Sequence, residues 1–278
     1  MTRPICCAAL LLVLPACLSD LRPPALREAA PGAAARARGV ELLRSVTDAA
    51  GGLEHWRAQE TVRYTAVDDW PGLLFRTFGM PWPENDSELR ITARLGTDDL
   101  RLEVVGQDEV WGIQDWITYR VQNGAVLPRY DGDAWFWLPT LEYFFELPFR
   151  IGEATEIVAV EPETVDGVEY DRVLASWGTL APQLHTDQYL VWIRRSDHRI
   201  EWAQYTVRDV AGFVTGTMHY EDFRRVGGID VPFRMTVGPG PGQTGTPLHI
   251  VTLKEVEFGV DAPPGFFEPM PGANAPKH

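Results

Sequence analysis

A two-residue alternation of apolar and polar side chains recurs along most of this 278-residue chain, for example in residues 61–67. Successive side chains of a β-strand point to opposite faces of a sheet, so this period indicates strands with one buried face. Turn signals such as Asn123-Gly124 and Asp166-Gly167 separate the segments. Together they predict a mainly β protein built as an antiparallel meander. The predicted strands are residues 61–67, 88–95, 100–104, 109–116, 118–122, 126–130, 134–138, 156–160, 169–177, 188–194, 200–208, 214–223, 230–237 and 248–258.

Two segments depart from this alternation. The first, residues 37–50, places Leu43 and Val46 at helical spacing. Gly51 and Gly52 follow it and favour helix termination. We therefore predict an amphipathic helix in front of the strands.

The second segment, residues 139–147, predicts a short helix among the strands. Pro139 suits the first turn of a helix, and Pro148 disfavours continuation beyond Leu147. Apolar residues would lie on nearly all sides of this helix, so we expect it to insert into the fold as a plug or lid. They are Leu141, Tyr143, Phe144, Phe145 and Leu147.

The N-terminus has the order of an export signal. Arg3 precedes an apolar run, residues 5–13, which a small residue follows at Ala16. A helix that crosses a bilayer needs roughly 20 apolar residues, so this run is too short for a permanent membrane span. We predict residues 1–16 to be a signal peptide.

Leu14, Ala16 and Cys17 stand in the arrangement of a bacterial lipobox, which this short stretch resembles. The resemblance implies cleavage after Ala16 and attachment of fatty acyl groups such as palmitate, through a diacylglyceryl group, to Cys17. Two or three acyl chains anchor a protein stably to a membrane. A plain secretory signal with a chance cysteine is the alternative. Leu18, rather than Asp, follows the cysteine, which favours a periplasm-facing site at the outer membrane under the best-known sorting rule.

Composition excludes some sites and partners. Cys6 and Cys7 lie in the predicted signal, so only Cys17 remains in the mature chain, which excludes a disulfide framework and a cysteine-based zinc site. The formal charge is −14, and removal of residues 1–16, with one Arg and no acid, makes it −15. An acidic surface of this kind repels nucleic acid and anionic lipid head groups. Nucleic acid is therefore not an expected partner.

The rest of the chain divides into a tether, one domain and a tail. Residues 17–36 are rich in Pro and Ala and lack apolar periodicity, which predicts a flexible tether. Residues 37–270 are predicted to form one β domain, long enough to bury a sizeable core. Residues 271–278 are predicted to be a disordered tail.

Residues 37–268 resemble a known protein superfamily. The first feature of this resemblance is the predicted helix that ends in Gly51-Gly52, with Trp56 beyond it. The late hairpin sequences in residues 187–194, 199–201, 220–223 and 228–232 also carry it. These features resemble the superfamily of the lipoprotein carrier LolA and its membrane-anchored receptor LolB, and the insert ending at Phe149 is more similar to an uncharacterised LolA-like branch than to LolA itself. The resemblance implies an open, strongly curved antiparallel sheet, an unclosed half-barrel, with helices around an apolar cavity for acyl chains or other lipids. No motif defines the superfamily, so no residue role is carried over.

Aromatic residues supply the ligand-binding candidates. Trp135 and Trp137 occupy alternate positions of a predicted strand and would point to one face, either as core or as the lining of a pocket. The apolar segment 69–83, broken by Gly and Pro, is predicted to be a loop that folds over the core or faces a membrane or ligand. The candidate lipid-binding residues are Trp70, Leu74, Phe75, Phe78, Trp82, Trp135, Trp137, Tyr143, Phe144 and Phe145.

Catalytic motifs do not stand out. His185 with Asp187, and His219 with Glu221, could ligate a metal, but such pairs also arise by chance. We expect no enzyme activity, no cofactor and no metal. The predicted function is that of a membrane-anchored envelope lipoprotein that binds lipid or acyl chains, with a role in lipid or lipoprotein trafficking. The alternative is a non-enzymatic envelope interaction or signalling module that binds an envelope protein through its outer face.

Overall fold

Thirteen antiparallel strands form a single sheet in the computed structural model, which describes residues 18–127 and 132–268. The strands are β1 (Thr61–Asp69), β2 (Glu88–Arg94), β3 (Leu100–Val104), β4 (Glu109–Gln114), β5 (Ile117–Gln122), β6 (Ala125–Val126), β7 (Glu156–Val165), β8 (Val168–Ser176), β9 (Gln188–Arg194), β10 (Ile200–Thr206), β11 (Thr215–Val226), β12 (Ile229–Val237) and β13 (His249–Phe258). Their order across the sheet is β6-β5-β4-β3-β2-β1-β13-β12-β11-β10-β9-β8-β7.

This order makes the sheet an open meander. Strands that follow one another in the chain are neighbours in each half, and β1 pairs with the last strand, β13, to join the halves. In the part of the chain that the structure describes, β6 and β7 are the two edges and do not pair with each other. The prediction of a mainly β, unclosed antiparallel sheet with an N-terminal helix is therefore confirmed.

The helices are short except for two. They are α1 (Pro24–Glu28), α2 (Ala33–Ala50), α3 (Leu53–Arg57), α4 (Leu73–Phe78), α5 (Gly132–Phe145) and α6 (Leu147–Arg150). Helix α2 confirms the predicted helix, although it begins at residue 33 rather than 37. It packs closely on β7, and Gly39 permits this contact because it has no side chain. A Cβ at this position would lie only 2.8 Å from the backbone nitrogen of Ala159.

Helix α5 corrects the prediction for residues 134–138. That segment is helical rather than a strand, and α5 begins at Gly132 rather than at Pro139. The run is apolar throughout, and a short apolar run fits a buried helix as well as a buried strand. Pro139 lies inside the helix, and Pro148 is in the first turn of α6. Of the predicted strand 126–130, residues 128–130 lie outside the described residues.

Helices α5 and α6 pack inside the curve of the sheet. Phe145 stacks on Tyr64 of β1, with ring centroids 4.5 Å apart, and the Tyr220 hydroxyl of β11 donates to the Phe144 carbonyl at 3.1 Å. Phe149 stacks on the Trp56 ring of α3 at 4.9 Å. The main core therefore lies between the concave face of the sheet and these helices.

The segment before α2 contacts the outer face of the sheet, whereas a flexible tether was predicted for residues 17–36. The Ser19 backbone N–H donates to the Gly212 carbonyl at 2.9 Å, and the Leu21 N–H donates to Gln188 Oε1 at 3.0 Å. Leu21 and Leu26 also pack on a small outer cluster that contains Leu190, Trp192 and four further side chains. Apolar packing of isolated leucines gives no periodic signal, which is why the sequence pattern missed it.

The remaining predictions about the termini stay predictions. Cys17, the signal peptide over residues 1–16 and the tail over residues 271–278 lie outside the described residues. Within residues 18–127 and 132–268, no helix combines the length and apolar character that a membrane crossing requires.

Candidate functional site

An apolar cavity of about 300 Å³ lies between α5 and the concave side of strands β10–β13. Its lining is almost entirely apolar, with side chains from the helix on one side and from the strands on the other. The helix contributes Phe136, Trp137, Leu141 and Phe144, and the strands contribute Tyr205, Met218, Met235, Val237 and Val251. A concave apolar site with few polar groups is the kind of site that receives an apolar or amphipathic ligand.

Strand alternation and one glycine explain why space remains here. Tyr205, Met218 and Met235 occupy inward positions of their strands. Gly216 lies opposite Tyr205 in the sheet, and a Cβ at Gly216 would be 2.5 Å from the Tyr205 ring. Because glycine has no side chain, the Tyr205 ring lies flat against β11 instead of filling the cavity.

The two tryptophans predicted to share a face lie on different sides of α5. Positions two apart on a helix differ by about 200°, so the strand argument does not apply. Trp137 lines the apolar cavity and contacts the Trp70 ring edge-on at 5.6 Å. Trp135 packs against Trp116 at 5.9 Å and lines a second cleft.

That second cleft, of about 410 Å³, has a different chemistry. Aromatic rings on α5 form part of its wall, including Tyr143, but polar, mostly acidic side chains line the rest. These are Asp98, Arg150, His185, Asp187 and Asp209. Helix α5 therefore separates an apolar cavity from a mainly acidic cleft.

The segment 69–83 folds over the core at both ends. Trp70 and Trp82 are buried, and Trp70 lines the apolar cavity. Of the predicted site residues in between, Leu74, Phe75 and Phe78 belong to α4, but their side chains lie outside the described part of the structure. Phe144 lines the cavity, whereas Phe145 stacks on Tyr64, away from it.

Two segments that border the cavity, the loop of Val210 and helix α4, carry exposed apolar side chains. Val210, which lines the cavity, is 61% exposed, and Phe213 in the same loop is 70% exposed. Leu73, in the segment that contributes Trp70 and Gly79 to the lining, is also 70% exposed. Exposed apolar residues beside a cavity are a feature of surfaces that meet a membrane or ligand.

A buried polar network at the cavity wall was not predicted from the sequence. Asp68 of β1 accepts hydrogen bonds from Trp70 Nε1 at 2.9 Å and Trp82 Nε1 at 2.7 Å, and its other oxygen lies 2.7 Å from His249 Nδ1. His249 lines the cavity. The sequence did contain one indication of this network. Val62, Tyr64 and Ala66 occupy alternate, inward positions of β1, and the next inward position holds an acid, Asp68.

Helix α5 also carries two buried carboxyl groups. Burial raises the pKa of Glu142 well above its usual value and raises that of Glu146 to about 8. Glu146 accepts a hydrogen bond from the Gly96 N–H at 3.1 Å and lies 3.9 Å from Arg150 Nη1. The Glu142 oxygens have no hydrogen-bond partner among the described residues, so its burial favours the uncharged form of this carboxyl group.

The residue pairs considered for metal binding have other partners. Asp187 accepts hydrogen bonds from the Thr206 hydroxyl at 2.7 Å and the Arg208 N–H at 3.0 Å. His219 stacks on Trp202 at 3.7 Å, with Glu221 3.5 Å from its Nδ1. Within the described ranges, no three His, Cys, Asp or Glu side chains are grouped so as to hold a metal ion.

The comparison with known proteins finds similar structures but no similar sequence. No family model and no curated protein sequence matches this chain. A crystal structure of a DUF1329 family protein from Desulfovibrio piger superposes with a TM-score of 0.50 at 11% identity, covering 84% of this chain and 97% of that one. A LolA superfamily protein from Nitrosomonas europaea gives 0.48 at 11% identity, covering 78% of this chain and 96% of that one.

The lipoprotein LppX from Mycobacterium tuberculosis gives a TM-score of 0.27 at 11% identity, covering 84% of this chain and 97% of that one. At such identities a likeness concerns the fold alone. The superposition with the DUF1329 family protein shows that the two chains share a fold, which in this chain is an open antiparallel sheet packed around helices.

Proposed function

We propose that this protein is a membrane-anchored envelope lipoprotein that binds an acyl chain in the cavity beside α5. The observation that carries the proposal is the cavity itself, whose walls are apolar on both the helix and the strand side. An acyl chain placed there would leave water and gain roughly 0.8 kcal/mol for each buried CH₂ group. In the acidic cleft on the other side of α5, an acyl chain would bury less of its surface against apolar groups and would gain less free energy.

The size of the cavity limits what it accepts in this state. Ligand pockets span roughly 300–1,000 Å³, and a cavity of about 300 Å³ is at the small end of that range. It has room for a single chain of moderate length. Longer or multiple chains require α5 to move away from β10–β13, so this helix would act as a lid.

The exposed apolar residues at the cavity mouth support transfer to or from a membrane. Leu73, Val210 and Phe213 would meet the bilayer with apolar groups while the acidic surface stays away from anionic head groups. We propose that lipid on Cys17 keeps the domain at the outer membrane, facing the periplasm, and that the cavity takes part in lipid or lipoprotein trafficking.

The first experiment blocks the cavity. Thr215 is exposed on β11 and lines the cavity, so Thr215→Trp would fill its mouth at little cost to folding. Thr252, exposed on β13, provides the matched control, Thr252→Trp. We expect protein purified without detergent to contain co-purifying lipid by mass spectrometry, and delipidated protein to bind a fluorescent fatty acid, with Thr215→Trp weakening that binding at least ten-fold and Thr252→Trp leaving it unchanged.

Absence of lipid together with absence of fatty acid binding would reject the proposal. A stable envelope protein partner whose binding survives Thr215→Trp would instead favour an interaction module. The anchor is tested separately by Cys17→Ser, which should move the protein from the membrane fraction to the soluble fraction and remove the mass of the attached lipid.

A further inference from the structure

His249 places a polar ring in the wall of the apolar cavity. It begins β13, is 5% exposed and lines the cavity opposite α5. A buried polar ring in such surroundings costs free energy unless its nitrogens are satisfied. The partners of those nitrogens therefore indicate what the cavity accepts.

One ring nitrogen of His249, Nδ1, has a hydrogen-bond partner in Asp68. Asp68 is completely buried, and its Oδ2 accepts two indole N–H bonds, from Trp70 and Trp82. Asp68 is thus the acceptor of this network, as carboxylate oxygens are. His249 Nδ1, 2.7 Å from Asp68, must therefore carry the proton, and in the neutral ring Nε2 is then an unprotonated acceptor.

The ring is also held in place from its faces. The Trp70 ring stacks on it at 4.6 Å with an interplanar angle of 15°, and the Trp137 ring meets it edge-on at 5.6 Å. Because Asp68 occupies Nδ1, Nε2 is the ring nitrogen left for a ligand in the cavity that His249 lines. It has no hydrogen-bond partner among the described residues, although the ring is more than nine-tenths buried.

We propose that His249 Nε2 binds the carboxyl end of a fatty acid whose chain occupies the cavity. The acid O–H transfers its proton to Nε2, so the imidazole becomes an imidazolium and the ligand a carboxylate. The two ring N–H groups then donate to two carboxylates, Asp68 on one side and the ligand on the other. A ligand that enters already ionised takes the same place with one proton from water.

This inference depends on the proposed lipid-binding function and narrows its ligand to one chemical class. An ester of the same acid has no proton to transfer and no charge, so it cannot form the charge-assisted hydrogen bond. Such bonds contribute roughly 1.5–3 kcal/mol, which corresponds to about ten-fold to hundred-fold in affinity. A fatty alcohol can donate to Nε2 but stays neutral, so we expect it to bind with intermediate affinity.

The test compares dodecanoic acid, dodecanol and methyl dodecanoate on delipidated protein, followed through tryptophan emission, since Trp70 and Trp137 contact the ring. We expect the acid to bind at least ten-fold more tightly than the ester. His249→Gln keeps an amide donor for Asp68 and should remove that preference while ester binding remains. His219→Gln is the matched control, because His219 also stacks on a tryptophan but lies outside the cavity.

Nitrogen-15 NMR of the histidine rings adds a readout on the wild-type protein. The His249 ring should change from the Nδ1-protonated neutral form to imidazolium when the acid is added, and should not change with the ester. Equal affinities for acid and ester, or for acid and alcohol, would overturn the carboxyl assignment while leaving lipid binding intact. Failure of all three ligands to bind would reject the proposed function together with this inference.

Discussion

The two sides of helix α5 face spaces of similar size but opposite chemistry. Toward β10–β13, the helix and strands enclose an apolar cavity with one polar ring, His249, in its wall. On the other side the cleft is lined by Trp135 and Tyr143 but also by polar, mostly acidic groups. Aromatic content alone does not distinguish the two spaces, because both contain aromatic rings. What differs is whether carboxylates accompany them.

The largest expected effect compares the two tryptophans of α5. Trp137→Ala removes a ring that packs on Trp70 and His249, and we expect a loss of about 3 kcal/mol in the free energy of unfolding. Trp135→Ala removes a ring that packs on the exposed Trp116, and we expect about 1 kcal/mol. Urea denaturation measures both. Equal losses would show that the two sides of the helix are packed alike.

The second prediction concerns burial of acids. Since burial raises the pKa of Glu142 in the folded protein, its unfolded form releases a proton more readily, so this group lowers stability as pH rises above its ordinary pKa of 4.5. Glu142→Gln should therefore raise the free energy of unfolding at pH 7. The gain should vanish below a pH of about 4.5.

Asp209→Asn is the control for that prediction, because Asp209 is exposed in the acidic cleft. It should change stability by less than about 0.5 kcal/mol at either pH. Thermal unfolding of both variants, followed from pH 7 to below a pH of about 4.5, measures these changes in stability. A pH-independent gain from Glu142→Gln would contradict the burial of an unpaired carboxyl group.

The smallest expected effect on stability comes from exposed apolar residues beside the apolar cavity and beside the acidic cleft. Val210→Ser with Phe213→Ser should leave stability within about 0.5 kcal/mol of wild type, because both side chains are exposed. Binding to neutral phosphatidylcholine vesicles, measured by flotation, should fall several-fold. Leu184→Ser, an equally exposed residue beside His185 of the acidic cleft, should leave vesicle binding unchanged. A similar fall with Leu184→Ser would remove the distinction between the two mouths.

Part of the candidate site could be predicted and part could not. Trp70, Trp137 and Phe144 were predicted as ligand-binding residues and do line the cavity, where their role in binding stays a prediction. His249 was missed because a single histidine at the start of a strand carries no pattern. Its partner Asp68 lies 181 positions away, and the contact exists only because β1 and β13 pair across the sheet.

Most strands and the N-terminal helix could be predicted from the sequence, because alternation and helical spacing are local properties that each segment carries alone. The sequence did not determine the state of residues 134–138, since a short apolar run fits either element until its surroundings are known. The predicted insertion of this helix did not show which strands α5 would pack against or which side of it would be apolar, and the attachment of residues 18–36 to the outer face of the sheet was also not predicted. These outcomes depend on packing between distant segments, and no local pattern records which distant surface a segment will meet.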